Sequence, residues 1–165
     1  MEFLVGTSGY SFPTWKGSFY PADLPAKKFL SYYASRYQAV ESNYTFRSTP
    51  TLLQFQSWAA QVPASFRFAL KAPQLITHRK RLKNAAEATK DFLSLAKGLK
   101  QRLGPILFQL PPNLKKDVAL LKAFCKSLPR KGKFAFEFRH VCHFWSAPQA
   151  RRGCSAGEVF GGTFR

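Results

Sequence analysis

Five short apolar runs alternate with segments in which apolar residues recur at helical spacing. The runs are interpreted as β-strands and cover residues 3–8, 38–46, 66–72, 105–110 and 133–139. The four segments between consecutive runs are interpreted as helices and cover residues 27–37, 49–62, 84–104 and 115–128. Alternation at a spacing of roughly 30 residues is typical of βαβ units with right-handed crossovers and predicts a parallel sheet.

Capping signals predict where two of these helices begin and end. Thr49 followed by Pro50 resembles an N-cap with a first-turn proline. Asn84, with Glu87 three residues later, has the spacing of a capping box, and Gly104 is predicted to end that helix. The apolar residues between them step by three and four, as expected for one buried stripe.

Two architectures fit a parallel sheet built this way: a doubly wound sheet, or part of a (β/α)₈ barrel. The chain carries no GxGxxG after its first run and no GxxxxGK[ST]. These are the main nucleotide-binding signatures of the doubly wound class, so the sequence gives that class no support.

Each run places large apolar residues on one face and small or polar residues on the other, because side chains alternate along a strand. In the fifth run, FAFEFR, the phenylalanines oppose Glu137 and Arg139. The second run is predicted to extend to residue 46, with Glu41, Asn43 and Thr45 on its polar face.

The same alternation places Lys71 at the end of the third run and Gln109 at the end of the fourth. A doubly wound sheet needs apolar cover on both faces, whereas the inner face of a barrel can be polar and its strand ends converge at one mouth. The predicted fold is therefore α/β and TIM-barrel-like, but incomplete, with about five of the eight strands.

Charged residues at the strand ends have two interpretations. Glu41, Lys71, Glu137 and Arg139 could form a buried ion network that only fills the interior. Buried charges are costly and often stabilise no better than apolar residues of similar volume. Their recurrence at equivalent strand ends therefore favours a ligand site.

Composition adds a strong positive charge. The chain has 26 Lys and Arg against 8 Asp and Glu, for a formal charge of +18, and it is 45% hydrophobic with 17 Phe. The charge is compatible with solvated helix faces or with affinity for polyanions. No helix-turn-helix, zinc-finger or RRM signature is present, so nucleic acid remains a partner that the sequence does not favour.

The three cysteines, Cys125, Cys142 and Cys154, include no CxxC pair and predict free thiols in a reducing compartment. His140, Cys142 and His143 lie close together but lack a second ligand pair, so no metal site is predicted. No motif identifies a cofactor, and none indicates an oligomeric state.

The beginning of the chain reads MEFLVGTSGY and predicts a strand rather than a leader. No run approaches the ~20 apolar residues that a membrane helix needs. We therefore expect a cytoplasmic protein with no membrane partner.

Five blocks carry a resemblance to a known family: GTSGYSFPTWKGSFYP, VESNYTF, FRFALKAPQLITH, LGPILFQLPP and FEFRH. Over about residues 4–140 they resemble, in order, the motifs of the domain-of-unknown-function family seventy-two, also called YecE-like. The resemblance implies a TIM-barrel-like fold and no established reaction. The motif residues that it carries over are Gly6, Ser8, Gly9, Trp15, Tyr20, Pro21, Glu41, Asn43, Thr45, Phe46, Lys71, Thr77, His78, Gln109, Pro111, Pro112, Glu137, Arg139 and His140.

The chain departs from the family pattern at two places. Arg47 stands where the family usually has Tyr, and a Trp expected about three residues after the last block appears only as Trp145. A complete barrel typically needs at least ~200 residues. We expect residues 1–140 to form a partial barrel domain and residues 141–165 to be a divergent tail, off-frame or disordered, of a truncated chain.

The favoured hypothesis is a hydrolase or isomerase that acts on a small anionic or sugar-like ligand at the strand carboxyl ends. Glu41 and Glu137 are the candidate acid and base, and Lys71 is the candidate stabiliser of negative charge. The candidate ligand-binding residues are Ser8, Tyr10, Trp15, Asn43, Thr45, His78, Gln109, Arg139 and His140.

Two alternatives stay open. The basic segment 78–83 and the net charge suggest a protein that binds nucleic acid or another polyanion. A partial barrel would also leave open strand edges and an exposed apolar face, which predict a non-functional fragment of low stability.

Overall fold

The computed structural model describes residues 3–140, which form a five-stranded sheet with helices between the strands. The strands are β1 (Gly6–Ser8), β2 (Ala39–Ser42), β3 (Arg67–Lys71), β4 (Leu103–Gln109) and β5 (Phe134–Glu137). All four neighbouring pairs are parallel, and the order in the sheet follows the chain, β1-β2-β3-β4-β5. The α/β prediction is therefore confirmed. In a doubly wound sheet the strand order reverses at one point, and no such reversal occurs among these five strands.

Helical segments fill each connection. The α-helices are α1 (Phe29–Ala34), α2 (Tyr44–Arg47), α3 (Leu52–Ala60), α4 (Ala86–Ala96) and α5 (Val118–Ser127). The 3₁₀ turns are Pro13–Trp15, Ala26–Lys28 and Lys97–Arg102, and a π-helical turn spans Leu75–Arg79. Within residues 3–140, none of the helices has the length and apolar character needed to cross a membrane.

One face of the sheet is the main packing surface of the core. Its buried side chains include Val40, Phe68, Leu70, Ile106, Phe108 and Phe136. Helix α3 contacts this face through Trp58, whose ring stacks 6.1 Å from Phe68. Helix α5 contacts it through Phe124, whose ring lies edge-on 5.1 Å from Phe108.

The opposite face carries the polar side chains that the alternation predicted. Glu41, Lys71, Gln109 and Glu137 all lie there and are half-buried, and each is flanked along its strand by a buried residue. The side chain of Glu137 keeps 23% of its surface exposed. The predicted division into an apolar and a polar face is confirmed for these strands.

The second strand is shorter than predicted. β2 ends at Ser42, and the chain turns directly into helix α2, so the predicted strand up to residue 46 is wrong. Thr45, in α2, is fully buried, and its hydroxyl shares its one hydrogen between the carbonyl oxygens of Ser42 (3.0 Å) and Lys71 (2.6 Å). These bonds tie together the carboxyl ends of β2 and β3.

Helix α3 begins two residues later than the sequence suggested. Its N-cap is Thr51, not Thr49. The Thr51 hydroxyl accepts the Gln54 N–H at 3.2 Å, and the Gln54 side-chain oxygen accepts the Thr51 N–H at 2.8 Å. This reciprocal pair is a capping box.

The capping prediction for α4 is wrong. Asn84 has φ of 48°, in the left-handed region, and the N-cap position is occupied by Ala85 without a side-chain bond. The α-helix ends at Ala96, and Gly104 lies inside β4 rather than at a helix end. A Cβ on Gly104 would lie 2.9 Å from the Phe68 carbonyl oxygen, so the close approach of β3 explains this glycine.

Replacing the observed cap provides a test of the α3 boundary. Thr51→Ala removes the hydroxyl that accepts the Gln54 N–H and is expected to lower the free energy of unfolding by about 1 kcal/mol. Thr49→Ala is the matched control, because Thr49 is exposed and should cost almost nothing. Urea denaturation followed by circular dichroism measures both, and equal losses would contradict the assigned cap.

Candidate functional site

We call the polar face of the sheet, opposite the face that α3 and α5 contact, the open face. Its first polar group joins β1, β2 and the turn after β2. Ser8 and Glu41 are register partners, and the Ser8 hydroxyl donates to Glu41 Oε1 at 2.9 Å. Asn43 Nδ2 donates to the same Ser8 oxygen at 2.7 Å. Glu41 Oε2 accepts no hydrogen bond from residues 3–140, so it is available to a ligand.

The second polar group joins β4 and β5. Gln109 and Glu137 are register partners, and Gln109 Nε2 lies 2.9 Å and 2.8 Å from the two carboxylate oxygens of Glu137. Arg139 Nε lies 3.8 Å from Glu137 Oε1, and half of the Arg139 side chain is exposed. A guanidinium has five N–H donors, so this long contact leaves most of them available.

Lys71 lies between these groups, on the central strand β3. Its ammonium is 5.1 Å from the centroid of the Phe46 ring, in the range of a cation–π contact. The Phe46 ring in turn meets the His78 ring edge-on, at 4.9 Å and 81°. Within residues 3–140, no carboxylate pairs with the Lys71 ammonium.

His78 belongs to the π-helical turn Leu75–Arg79 that follows β3. π-Helical turns are rare and recur at functional sites. The next residues carry backbone strain: Arg81 and Leu82 have φ of 50° and 66°. Such conformations persist only where surrounding contacts hold them, and here Arg81 donates to the Asn113 carbonyl oxygen at 2.7 Å.

Burial lowers the pKa of His78 below its ordinary value of 6.5, and the positive charges of Lys71, Arg139 and Arg81 lower it further. His78 is therefore neutral at pH 7. We call Lys71, His78, Arg81 and Arg139, which this electrostatic effect links, the cationic cluster.

Two predicted ligand-binding residues, Tyr10 and Trp15, lie in the segment between β1 and α1. Trp15 packs among aromatic rings of the segment before α1, with ring centroids 4.8 Å from Phe12 and 5.6 Å from Phe19. Tyr10 is half-buried, its carbonyl oxygen accepts the Tyr20 hydroxyl, and burial raises the pKa of Tyr10. Neither side chain hydrogen-bonds to the polar groups of the open face within residues 3–140.

Thr45 and His140 are two further predicted ligand-binding residues. Thr45 is buried, and its hydroxyl bonds two backbone carbonyls, so it holds strand ends together. His140 is half-buried and is the last residue that the structure describes. Ligand contacts of both side chains stay predictions.

Sequence reasoning missed Phe46, Thr77 and Arg81 as members of this region. Phe46 and Thr77 stand beside predicted site residues, but their contacts depend on the α2 turn and the π-helical turn, which no periodicity signals. Arg81 belongs to the basic segment 78–83, which suggested polyanion binding, and its guanidinium is anchored to the Asn113 carbonyl oxygen.

No metal cluster occurs in the described part of the chain, where no three His, Cys, Asp or Glu side chains lie close enough to share an ion. Cys125 is a free, half-buried thiol whose pKa is raised by burial. Cys142, His143, Trp145 and Cys154 lie outside the described residues, as does the predicted tail 141–165.

The His78 pKa provides a test of the cationic cluster. Lys71→Met removes one of the positive charges and is expected to raise the His78 pKa towards 6.5. Lys90→Met is the control, since Lys90 is exposed on α4. Because the unfolded chain binds this proton at higher pH than the folded chain, His78 also reduces stability as the pH falls through about 6.5. NMR titration of the imidazole checks the shift, and an unchanged pKa in Lys71→Met would refute the proximity.

Comparison with protein families finds a match over most of the chain. Residues 4–156 match the family described as "Protein of unknown function DUF72". The chain is similar to the UPF0759 protein YecE of Escherichia coli K12, with 30% identity over 116 residues that cover 70% of this chain and 43% of YecE. It is also similar to the UPF0759 protein YunF of Bacillus subtilis 168, with 27% identity over 139 residues, 79% of this chain and 49% of YunF.

Solved structures give the same result. A DUF72 family protein from Thermotoga maritima MSB8 superposes with a TM-score of 0.74 at 33% identity, over 88% of this chain and 58% of that one. A DUF72 family protein from Enterococcus faecalis V583 superposes with a TM-score of 0.62 at 23% identity, over 71% of this chain and 46% of that one, and supports the fold alone.

The chain spans about half the length of the curated relatives that it matches. The family match continues 16 residues beyond residue 140, the last residue that the structure describes. The predicted divergence of the tail therefore stays a prediction. The match over residues 4–156 is nevertheless sufficient to assign the family predicted from the five motifs. The chain belongs to the DUF72 family, which includes the UPF0759 proteins YecE and YunF.

Proposed function

We propose that this chain forms part of a TIM-barrel-like enzyme that binds a small anionic or sugar-like ligand at the carboxyl ends of its strands and hydrolyses or isomerises it. The proposal combines a fold argument, a charge argument and a pair of carboxylates. Its main support is the half-buried Lys71 ammonium, which has no carboxylate partner in residues 3–140.

The polar residues advance along successive strands as they would in a barrel. Ser8 is level with Glu41, and Glu41 with Ala69. Lys71, two residues beyond Ala69, is level with Ala135, and Glu137 lies two residues beyond that. Relative to the strand register, the polar residues therefore advance by four residues over the four steps from β1 to β5. A (β/α)₈ barrel with a shear of 8 has the same offset of about one residue per strand.

In a tilted barrel sheet, this advance would keep the polar groups at a similar height. Strands in a barrel tilt by about 36°, so residues at one height shift along successive strands. Ser8 and Glu41, then Lys71, then Gln109 and Glu137 follow such a line. The fold therefore supports convergence of these side chains at one mouth.

The charges around Lys71 support an anionic ligand. Burying a cation without a counter-charge costs solvation free energy, and this cost grows with the depth of burial. Within residues 3–140, Lys71 has the Phe46 ring as its neighbour, and Arg139 has a long contact to Glu137. A phosphate or carboxylate of a ligand would supply the missing counter-charge, and a guanidinium suits such groups geometrically.

The carboxylates supply the proposed acid–base chemistry. Glu41 has an oxygen without a hydrogen-bond partner in residues 3–140 and is the better placed to exchange a proton with a ligand. Both oxygens of Glu137 face the Gln109 amide, which fixes the orientation of this carboxylate. Glu137 is therefore suited to hold a ligand hydroxyl while Glu41 transfers the proton.

Ligand binding tests the charge argument directly. Calorimetric titration with inorganic phosphate and with ribose 5-phosphate is expected to show binding that Lys71→Met weakens at least tenfold, about 1.4 kcal/mol. Lys90→Met, which changes the net charge equally on the exposed surface of α4, should bind as the parent chain does. Equal affinity in the parent chain and Lys71→Met, or no binding to either compound, would overturn the proposed site.

A polyanion such as nucleic acid is the alternative, favoured by the net charge of +18 and by the exposed Arg79 and Lys83 after β3. Two cations of the same loop are already engaged: Lys80 donates to the Asn84 carbonyl oxygen and Arg81 to that of Asn113. These contacts make the loop a poorer phosphate-binding surface than its sequence suggests.

Salt dependence separates the two functions. Filter binding of a DNA oligonucleotide is expected to show no steep dependence on salt, because few phosphate contacts form. A steep fall of log affinity with log salt concentration, at about 0.9 per phosphate neutralised, would instead support nucleic-acid binding.

A further inference from the structure

We propose that Thr77 is a positioning residue that fixes His78 as the neutral tautomer with its proton on Nε2, so that Nε2–H donates a hydrogen bond to an oxygen of the ligand. The inference deepens the proposed function and rests on it for the ligand. The tautomer itself follows from the hydrogen bonds of two neighbouring side chains.

The Thr77 hydroxyl has one acceptor in its surroundings, the Nδ1 atom of His78, within residues 3–140. Thr77 is completely buried in the π-helical turn Leu75–Arg79, and its Oγ1 lies 2.9 Å from His78 Nδ1. A buried hydroxyl hydrogen needs an acceptor. In the described part of the chain, Oγ1 has no hydrogen-bond partner other than Nδ1. The hydroxyl therefore donates, and Nδ1 is the acceptor without a proton.

The opposite arrangement would leave a buried hydrogen unsatisfied. If Nδ1 carried the proton, it would donate to Oγ1, and the hydroxyl hydrogen would point into apolar surroundings without an acceptor. The imidazolium form has the same defect, since both ring nitrogens then carry protons.

The charges around the ring also disfavour the imidazolium. Lys71 from β3, Arg81 from the loop after the π-helical turn and Arg139 from the segment after β5 all act on His78 as positive charges. The Glu137 carboxylate faces Arg139 and Gln109. A single neutral tautomer is therefore the stable state of the ring.

The Nε2 atom is the part of His78 that remains available. The ring is half-buried, its Nδ1 faces Thr77, and Nε2 forms no hydrogen bond within residues 3–140. In the Nε2–H tautomer this atom is a donor that carries no net charge. A neutral imidazole N–H polarises a carbonyl or phosphoryl oxygen, and it leaves proton abstraction to a carboxylate such as Glu41.

NMR of the ring nitrogens measures the tautomer directly. Long-range ¹H–¹⁵N correlation spectra of ¹⁵N-histidine-labelled protein at pH 7.5 are expected to show a pyridine-like Nδ1 and a pyrrole-like Nε2 for His78. The chain has three histidines, and comparison with His78→Gln assigns the signal. A pyrrole-like Nδ1, or a doubly protonated ring, in the parent chain would overturn the proposal.

Two variants show whether Thr77 is the cause. Thr77→Val keeps the shape of the buried side chain without the hydroxyl, and it is expected to move His78 to a mixture of tautomers. Thr77→Ser restores the donor and should restore the single tautomer. A Val variant with the parent tautomer would overturn the role of Thr77. If Thr77→Val does not fold, Thr77→Ala, which also lacks the hydroxyl, takes its place in the comparison with the parent chain and Thr77→Ser.

Adding inorganic phosphate separates this inference from the proposed function. Saturating phosphate is expected to shift the His78 Nε2–H signal in the parent chain and in Thr77→Ser. The expected tautomer without any response to phosphate would overturn the proposed anion site and leave the positioning role of Thr77 established. A response with the wrong tautomer would do the reverse.

Discussion

The alternation of side chains along parallel strands that follow one another in chain order is the constraint on which the rest of the structure depends. Every connection advances one strand in the same direction, so the described helices that contact the sheet through Trp58 and Phe124 meet the same face. That face takes most of the large apolar side chains, and the charged side chains Glu41, Lys71 and Glu137 lie on the other face. The functional groups therefore gather without any local motif to bring them together.

Much of the fold could be predicted from the sequence because this constraint is periodic. The strands, their polar face and the positions of Glu41, Lys71 and Glu137 follow from a two-residue alternation that is visible in the sequence. The boundaries could not be predicted in the same way. β2 ends where the buried Thr45 hydroxyl bonds two carbonyls, and one of these belongs to a strand 26 residues away in sequence.

The site shows the same division between periodic and non-periodic information. The cations of the cluster are visible in the sequence as charges, but their proximity depends on a π-helical turn and on the left-handed conformation of Arg81. Only the folded chain shows that Lys71 has an aromatic neighbour instead of a carboxylate, and that Thr77 faces the His78 ring. A ligand anion would complete the charge balance of this region, which is the physical basis of the proposed function.

The central claim is that Lys71 on β3 and Arg139 after β5 hold one anion. A double-mutant cycle with Lys71→Met, Arg139→Met and the double variant, read as phosphate affinity by calorimetry, tests it most directly. If both side chains contact the same ion, their effects are coupled, and the interaction energy should exceed about 0.5 kcal/mol. Additive effects, or an unchanged affinity in Arg139→Met, would contradict a shared site.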